Sequence, residues 1–265
     1  MELDDAYANA AYIPGAERFP GQWAEAAEMW RKQLAHDDRA RLDLGYGARP
    51  RERFDLFLPE GTPEGLMVFV HGGYWLKFDK SSWSHLAAGA VARGWAVALP
   101  SYDLCPQVRI SQITRQIARA VGVMAAMVEG PLVLTGHSAG GHLVARMLAT
   151  GMLSSEVGAR LRRVVPISPV ADLRPLLSTS MNAQLQLDPQ EAMAESPVLM
   201  ADRMDVPVTA WVGGDERPVF LDQARWLSQA WGCDMVVAEG RHHFDVIEPL
   251  ELVDSDLVEA LLRER

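Results

Sequence analysis

Pro131-Leu-Val-Leu-Thr-Gly-His-Ser-Ala-Gly140, followed by Gly141-His-Leu-Val-Ala-Arg-Met-Leu148, is the stretch whose reading decides the fold. Residues 132–135 are short, apolar and partly β-branched, the composition of a buried strand. From 139 to 150 the residues favour helix, with apolar positions at Ala139, Leu143, Met147 and Leu148. Between the two lies Gly-x-Ser-x-Gly, read as a nucleophile elbow. A sharp strand-to-helix turn lifts the Ser138 hydroxyl off the strand end, and glycines two before and two after it let neighbouring backbone come close. With Gly at about 7% of residues, about one chain in ten of this length carries the pattern by chance, so the context has to carry the inference.

That context begins sixty residues upstream, where Gly65-Leu-Met-Val-Phe-Val70 runs into His71-Gly-Gly-Tyr-Trp75. Here again an apolar strand ends in glycines. Acyl transfer places negative charge on a carbonyl oxygen, and preorganised backbone N–H donors are its strongest stabilisers. Gly72 and Gly73 allow a backbone segment to turn its amides inward, and the remaining donor expected is the N–H after the nucleophile, that of Ala139. A lone His-Gly-Gly is often a plain tight turn. Two strand-to-glycine loops in this chain order are far more specific.

The chain has 265 residues, 49% apolar and 23% charged, without a composition break that would force two domains. One α/β domain spanning 1–265 is expected. No apolar run approaches eighteen residues, and the acidic start at Glu2, Asp4 and Asp5 does not resemble a signal peptide. Cys105 and Cys233 lack ligand spacing and fit reduced thiols in a cytoplasmic protein. The net charge of −10 argues against nucleic acid and anionic membrane as partners, leaving a small-molecule substrate. No metal-ligand spacing such as His-Glu-x-x-His occurs, so neither metal nor other cofactor is expected. The sequence leaves the oligomeric state open, a homodimer included.

Strands and helices alternate as expected of a mostly parallel sheet. The patterns predict strands over 53–58, 66–70, 95–99, 163–168, 206–212 and 233–238. Helices are expected over 81–93, ended by Gly94, over 110–128, over 218–231, and near the C-terminus to about 262. Residues 1–50, with Trp23 and Trp30 on a helix over 22–35, read as an arm or lid. The polar stretch 172–204 is a candidate cap segment.

A serine hydroxyl needs a base, and the base an orienting acid. Downstream of Ser138 stand His142, His242 and His243. His142 lies one turn into the helix behind the elbow and reads as a packing residue. His242 and His243 follow the last expected strand, where loops at the carboxyl edge of a parallel sheet carry chemistry. The acid belongs after the strand 206–212, and spacing alone admits both Asp215 and Glu216. The bland reading of either carboxylate is a cap for the helix that follows.

His71-Gly-Gly-Tyr-Trp75, Gly136-His-Ser-Ala-Gly140 and His243-Phe-Asp-Val-Ile-Glu-Pro-Leu250 together resemble the serine-hydrolase type of kynurenine formamidase, or arylformamidase, among the hormone-sensitive-lipase-like α/β-hydrolases. The resemblance spans most of the chain, and its His-Gly-Gly-x-Trp variant is more specific than the elbow. It implies an α/β-hydrolase fold and cleavage of N-formyl-L-kynurenine to kynurenine and formate, a step of tryptophan catabolism. In the family the acid precedes an x-Pro-x-Phe segment, which maps onto Arg217-Pro-Val-Phe220 and favours Glu216. The family usually has Asp there, so Asp215 stays as the alternative. The histidine followed by Phe-Asp is His243. The implied site is Ser138, His243 and Glu216, with Gly72, Gly73 and Ala139 as oxyanion donors. Tyr74 and Trp75 would line the substrate pocket, although core packing accounts for such aromatics nearly as well. A general short-chain carboxylesterase would share every one of these catalytic residues, and a non-catalytic hydrolase-fold binding protein is the third alternative.

Overall fold

The computed structural model describes residues 2–263. Met1 of the expected arm and the last two positions of the expected domain, 264 and 265, lie outside them. Among the described residues eight strands form one sheet: β1 (Ala40–Gly45), β2 (Arg53–Phe57), β3 (Leu66–Val70), β4 (Ala96–Pro100), β5 (Leu132–His137), β6 (Leu161–Ile167), β7 (Thr209–Gly213) and β8 (Asp234–Ala238). Their spatial order is β1-β2-β4-β3-β5-β6-β7-β8. β1 and β4 both run antiparallel to β2, and every pairing from β4 to β8 is parallel. The chain fills one side of β3 with β4 and then crosses to the other with β5. At such a reversal the connections leave in opposite directions and open a crevice at the carboxyl ends of the strands. The two glycine loops leave β3 and β5, the pair at that crevice.

Sequence explains which strands sit centrally. Every residue of β3, β4 and β5 is buried, as continuous apolar runs require when both faces of a sheet are covered. The helix Ile110–Ala125 turns Ile113, Ile117, Val121 and Met124 inward, each at most 1% exposed. Burying such aliphatic side chains contributes about 1.5–3 kcal/mol apiece, which outweighs the cost of about 1 kcal/mol for Gly122 within the helix.

Three expectations change. The arm does not extend to residue 50, because Ala40–Gly45 is the antiparallel edge strand β1. Its residues are mostly exposed and Asp43 sits at φ 56°, so no alternating burial marks it as a strand. The expected helix over 81–93 is instead two 3-10 turns, Lys80–Ser82 and Ser84–Ala87, leading into the short helix Ala88–Ala92. The polar stretch 172–204 holds the short helices Asn182–Leu185 and Pro189–Ala194 with flanking 3-10 turns. Glu191 ties it down, accepting from the Arg109 guanidinium at 2.7 Å and from the Ser111 amide at 3.0 Å.

The N-terminal arm itself comprises Glu2–Ala6, two 3-10 turns and the long helix Phe19–His36. It is held from the far end of the chain. Gln223 donates to the Tyr7 hydroxyl at 2.8 Å, and Arg217 pairs with Asp5 at 2.8 Å. No helix of the described residues is long and apolar enough to cross a membrane.

Candidate active site

β5 ends at His137, and Ser138 adopts φ 56° and ψ −114° before the helix Ala139–Arg146 begins. A non-glycine residue persists in such a conformation only where its surroundings over-determine it. Here the surroundings are glycine backbone. A Cβ on Gly136 would lie 2.5 Å from the Gly140 carbonyl oxygen, and one on Gly140 would fall onto the Val70 carbonyl oxygen at the end of β3. The elbow is thus wedged between its own strand and the neighbouring one, with Ser138 at 2% exposure.

The loop after β3 is set by His71. Its Nδ1–H donates to the Gly72 carbonyl oxygen at 2.7 Å, and the ring stacks on Tyr102 with centroids 4.3 Å apart. Burial holds this imidazole neutral, pushing its pKa down to about 4. Carbonyl and amide point in opposite directions across a trans peptide, so a Gly72 carbonyl fixed on His71 turns the Gly73 N–H the other way. Gly73 sits at φ +110°, a conformation reserved for glycine, and a Cβ on Gly72 would lie 3.1 Å from that of Ser138. Of the predicted donors, Gly72 packs against Ser138, Gly73 lines the same cavity as Ser138, and Ala139 opens the helix that follows it.

The loops after β7 and β8 bring the acid and the histidine together. His243 Nδ1 lies 2.5 Å from Glu216 Oε2, both groups buried. The other Glu216 oxygen, Oε1, accepts from the Gly213 amide at 2.9 Å and from the Ser168 hydroxyl. Asp215 is exposed and is not brought to the histidine, so the structure separates the two carboxylates that spacing had left level. His242 is spent locally, its Nδ1 facing the amides of Phe244 and Asp245 at 3.1 and 3.2 Å. His142 is likewise a packing residue, its Nε2 2.8 Å from the Glu195 carbonyl oxygen. The His243 ring is sandwiched by Phe220 at 4.3 Å and His137 at 4.6 Å between centroids.

Ser138 and His243 open onto one cavity of about 780 Å³. Its walls are mostly apolar, with Trp23, Trp83, Phe78 and Phe244 among their aromatic residues. Lys77 and Glu17 also lie in the wall, and both are exposed. Tyr74 is there too, but its hydroxyl is committed to the arm, donating to the Tyr7 carbonyl oxygen at 2.6 Å and accepting from Asn9 at 2.9 Å. Trp75 is not: it is fully buried and packs edge-on against His142 at 5.1 Å. The pocket role expected of Trp75 gives way to core packing, because two consecutive left-handed residues, Tyr74 and Trp75, turn its ring into the protein. The candidate cap also changes place. No residue of 172–204 lines the cavity, whereas residues 7–11, 16, 17, 20 and 23 of the arm do.

Three residues near the site lay outside the sequence reading. Ser168 stands just beyond the carboxyl end of β6, a position whose strand context was visible. His137 carries a burial signal only in three dimensions: its pKa is driven well below the ordinary value by burial and by the adjacent His243. Asn9 had no signal at all, since nothing in an arm sequence says which polar side chain it turns inward.

Comparison with known proteins agrees with this architecture. Residues 67–240 match the model of a family described as alpha/beta hydrolase fold. The chain is 30% identical over 253 residues to a kynurenine formamidase of Drosophila melanogaster, covering 87% of this chain and 82% of that one. It is 28% identical over 231 residues to a kynurenine formamidase of Danio rerio, covering 81% and 78%. A solved structure from Silicibacter sp. TM1040, described provisionally as a thioesterase, superimposes with TM-score 0.97 and 64% identity, covering 98% and 99% of the two chains.

Proposed function

The chain belongs to the α/β-hydrolase fold family and, within it, to the kynurenine formamidases, and from that premise we propose that it hydrolyses the formamide bond of N-formyl-L-kynurenine. The hydrolase class follows from the family; the substrate and the residue roles are our reading. The observation that supports it best is His243, held from behind by the buried Glu216, sharing one aromatic-walled cavity with the strained Ser138.

In this reading Glu216 holds the His243 tautomer through Nδ1, leaving Nε2 to take the proton of the Ser138 hydroxyl as Oγ attacks the formyl carbon. The amides of Gly72, Gly73 and Ala139 receive the negative charge that develops on the formyl oxygen. The C–N bond then breaks, and His243 returns its proton to the departing aryl amine. Water, deprotonated by the same histidine, adds to the formyl-serine ester and releases formate. The aromatic wall suits the aryl ring of the leaving group, and the small formyl group asks for little space beside the loop glycines.

Three substrates presented to the purified protein test the proposal: N-formylkynurenine, p-nitrophenyl acetate and an acyl thioester, the last because of the description carried by the Silicibacter protein. Formamide cleavage with the highest specificity constant of the three, abolished by Ser138→Ala in a protein with an unchanged melting curve, is expected. Ester or thioester turnover with negligible formamide cleavage would overturn the substrate; full activity of Ser138→Ala would overturn the site.

A further inference from the structure

Tyr74 has one hydroxyl proton, and it goes to the Tyr7 carbonyl oxygen. The hydroxyl therefore meets Asn9 as an acceptor, so the end of the Asn9 amide that faces it is the donor Nδ2. That network fixes the orientation of the side chain. Oδ1 is then left without a hydrogen-bond partner among the described residues, in a side chain only 5% exposed. Nearly all buried polar groups are paired, and an exception calls for a cause. Asn9 stands in the wall of the cavity that holds Ser138 and His243, and its wall neighbours Ala8, Ala10 and Ala11 offer no side-chain donor.

Resting on the formamide reading above, we propose that Asn9 Oδ1 accepts the N–H of an N-acylated arylamine substrate, and that this contact makes the site select amides over esters. An ester places oxygen lone pairs where the amide places N–H, so it would set acceptor against acceptor at a buried side chain. Rejection by an unpaired buried group is the strong form of specificity, well beyond what pocket size supplies. Besides the Ser138 hydroxyl, two other wall atoms lack partners, Trp83 Nε1 and His137 Nε2. The first is a donor and has no use for an N–H. The second belongs to a ring packed on His243, where a substitution would disturb the base itself. Asn9 is carried by the arm, so it is the position at which selection can be separated from chemistry.

The test compares formanilide with phenyl formate, which share the formyl group and the aryl ring and differ in N–H against O. Wild type, Asn9→Ala and Tyr74→Phe are assayed, with Asn9→Ser in place of Asn9→Ala if the alanine variant does not melt cooperatively. Asn9→Ala is expected to lower kcat/KM on formanilide by about tenfold more than on phenyl formate. Tyr74→Phe, which removes the hydroxyl that orients the Asn9 amide, is expected to shift the two substrates in the same sense as Asn9→Ala but by less. Equal loss on both substrates in the Asn9 variant, or no loss, overturns the inference while leaving the formamidase reading intact. A wild-type protein that cleaves phenyl formate but not formanilide overturns both.

Discussion

Ser168 illustrates what a single residue contributes from behind the reacting groups. It is fully buried, sits at φ 46°, and gives its hydroxyl proton to the Glu216 oxygen that does not face His243. A carboxylate with several donors on one side presents the other in a fixed direction, and hydrogen bonds to an ionised acceptor are the strong kind. Ser168 is thus a positioning residue for the proposed acid. Ser168→Ala is expected to lower kcat by about tenfold with KM nearly unchanged. A melting temperature close to wild type alongside that kcat would separate positioning from stability, and an unchanged kcat would refute the role. At this scale the sequence was most legible where chemistry dictates spacing. Ser138 could be read because strand-end loops in a parallel sheet converge, whereas spacing left Asp215 beside Glu216 and His242 beside His243, and the family resemblance made those two choices. Ser168 and Asn9 could not be read, because each acts through the direction of one side chain, which only the packed backbone sets. Trp75 failed for the same reason: its type and its place after two glycines fit a pocket wall, and two left-handed residues turned it inward.

Among the elements, the elbow and the long helix behind it respond to the same substitution in opposite ways. Gly140 touches the β3 backbone so closely that any Cβ collides with the Val70 carbonyl oxygen, and neither strand has room to retreat. Gly122, in the helix Ile110–Ala125, has nothing within 4 Å of where a Cβ would stand. Gly140→Ala is therefore expected to destabilise the protein by about 3 kcal/mol and to abolish labelling of Ser138 by a fluorophosphonate. Gly122→Ala is expected to stabilise it by about 1 kcal/mol without effect on labelling. Urea denaturation of the two variants reads both signs, and a stable, labelled Gly140→Ala would show that the wedge is not tight. The helix Pro218–Trp231 emerged with the bounds its pattern predicts, since proline starts it and Gly232, at φ 60°, ends it. The edge strand β1 and the 3-10 turns at 80–87 were invisible for a complementary reason. One has too little burial to impose a period, and the other is buried all round, so that helix and tight turns read alike.

For the molecule as a whole, four buried histidines set the response to acid. Burial pushes His71 and His85 down to about 4 and His142 down to about 3, and drives His137 well below its ordinary value. In the unfolded chain the same rings gain protons as the pH falls through about 6.5. Between there and about 4 the unfolded state holds protons the folded state refuses, so stability falls as pH falls. The loss is at most about 1.4 kcal/mol per pH unit for each histidine. Urea midpoints measured at about pH 7.5 and about pH 5.5 are expected to drop clearly between the two, in a window above that of the carboxylates. Midpoints that coincide would mean the rings are protonated, or hydrated, in the folded protein.

The arm that walls the cavity precedes the sheet in the chain and is placed late. Tyr7 and Asp5 leave the ribosome before any strand exists, yet their partners Gln223 and Arg217 lie some two hundred residues further on, after seven of the eight strands. Domains consolidate as units during synthesis, so the arm has no place to dock until most of the chain has emerged. The arm is the closing piece of assembly: the wall it gives the cavity is complete only after the segments around Arg217 and Gln223 have joined the sheet.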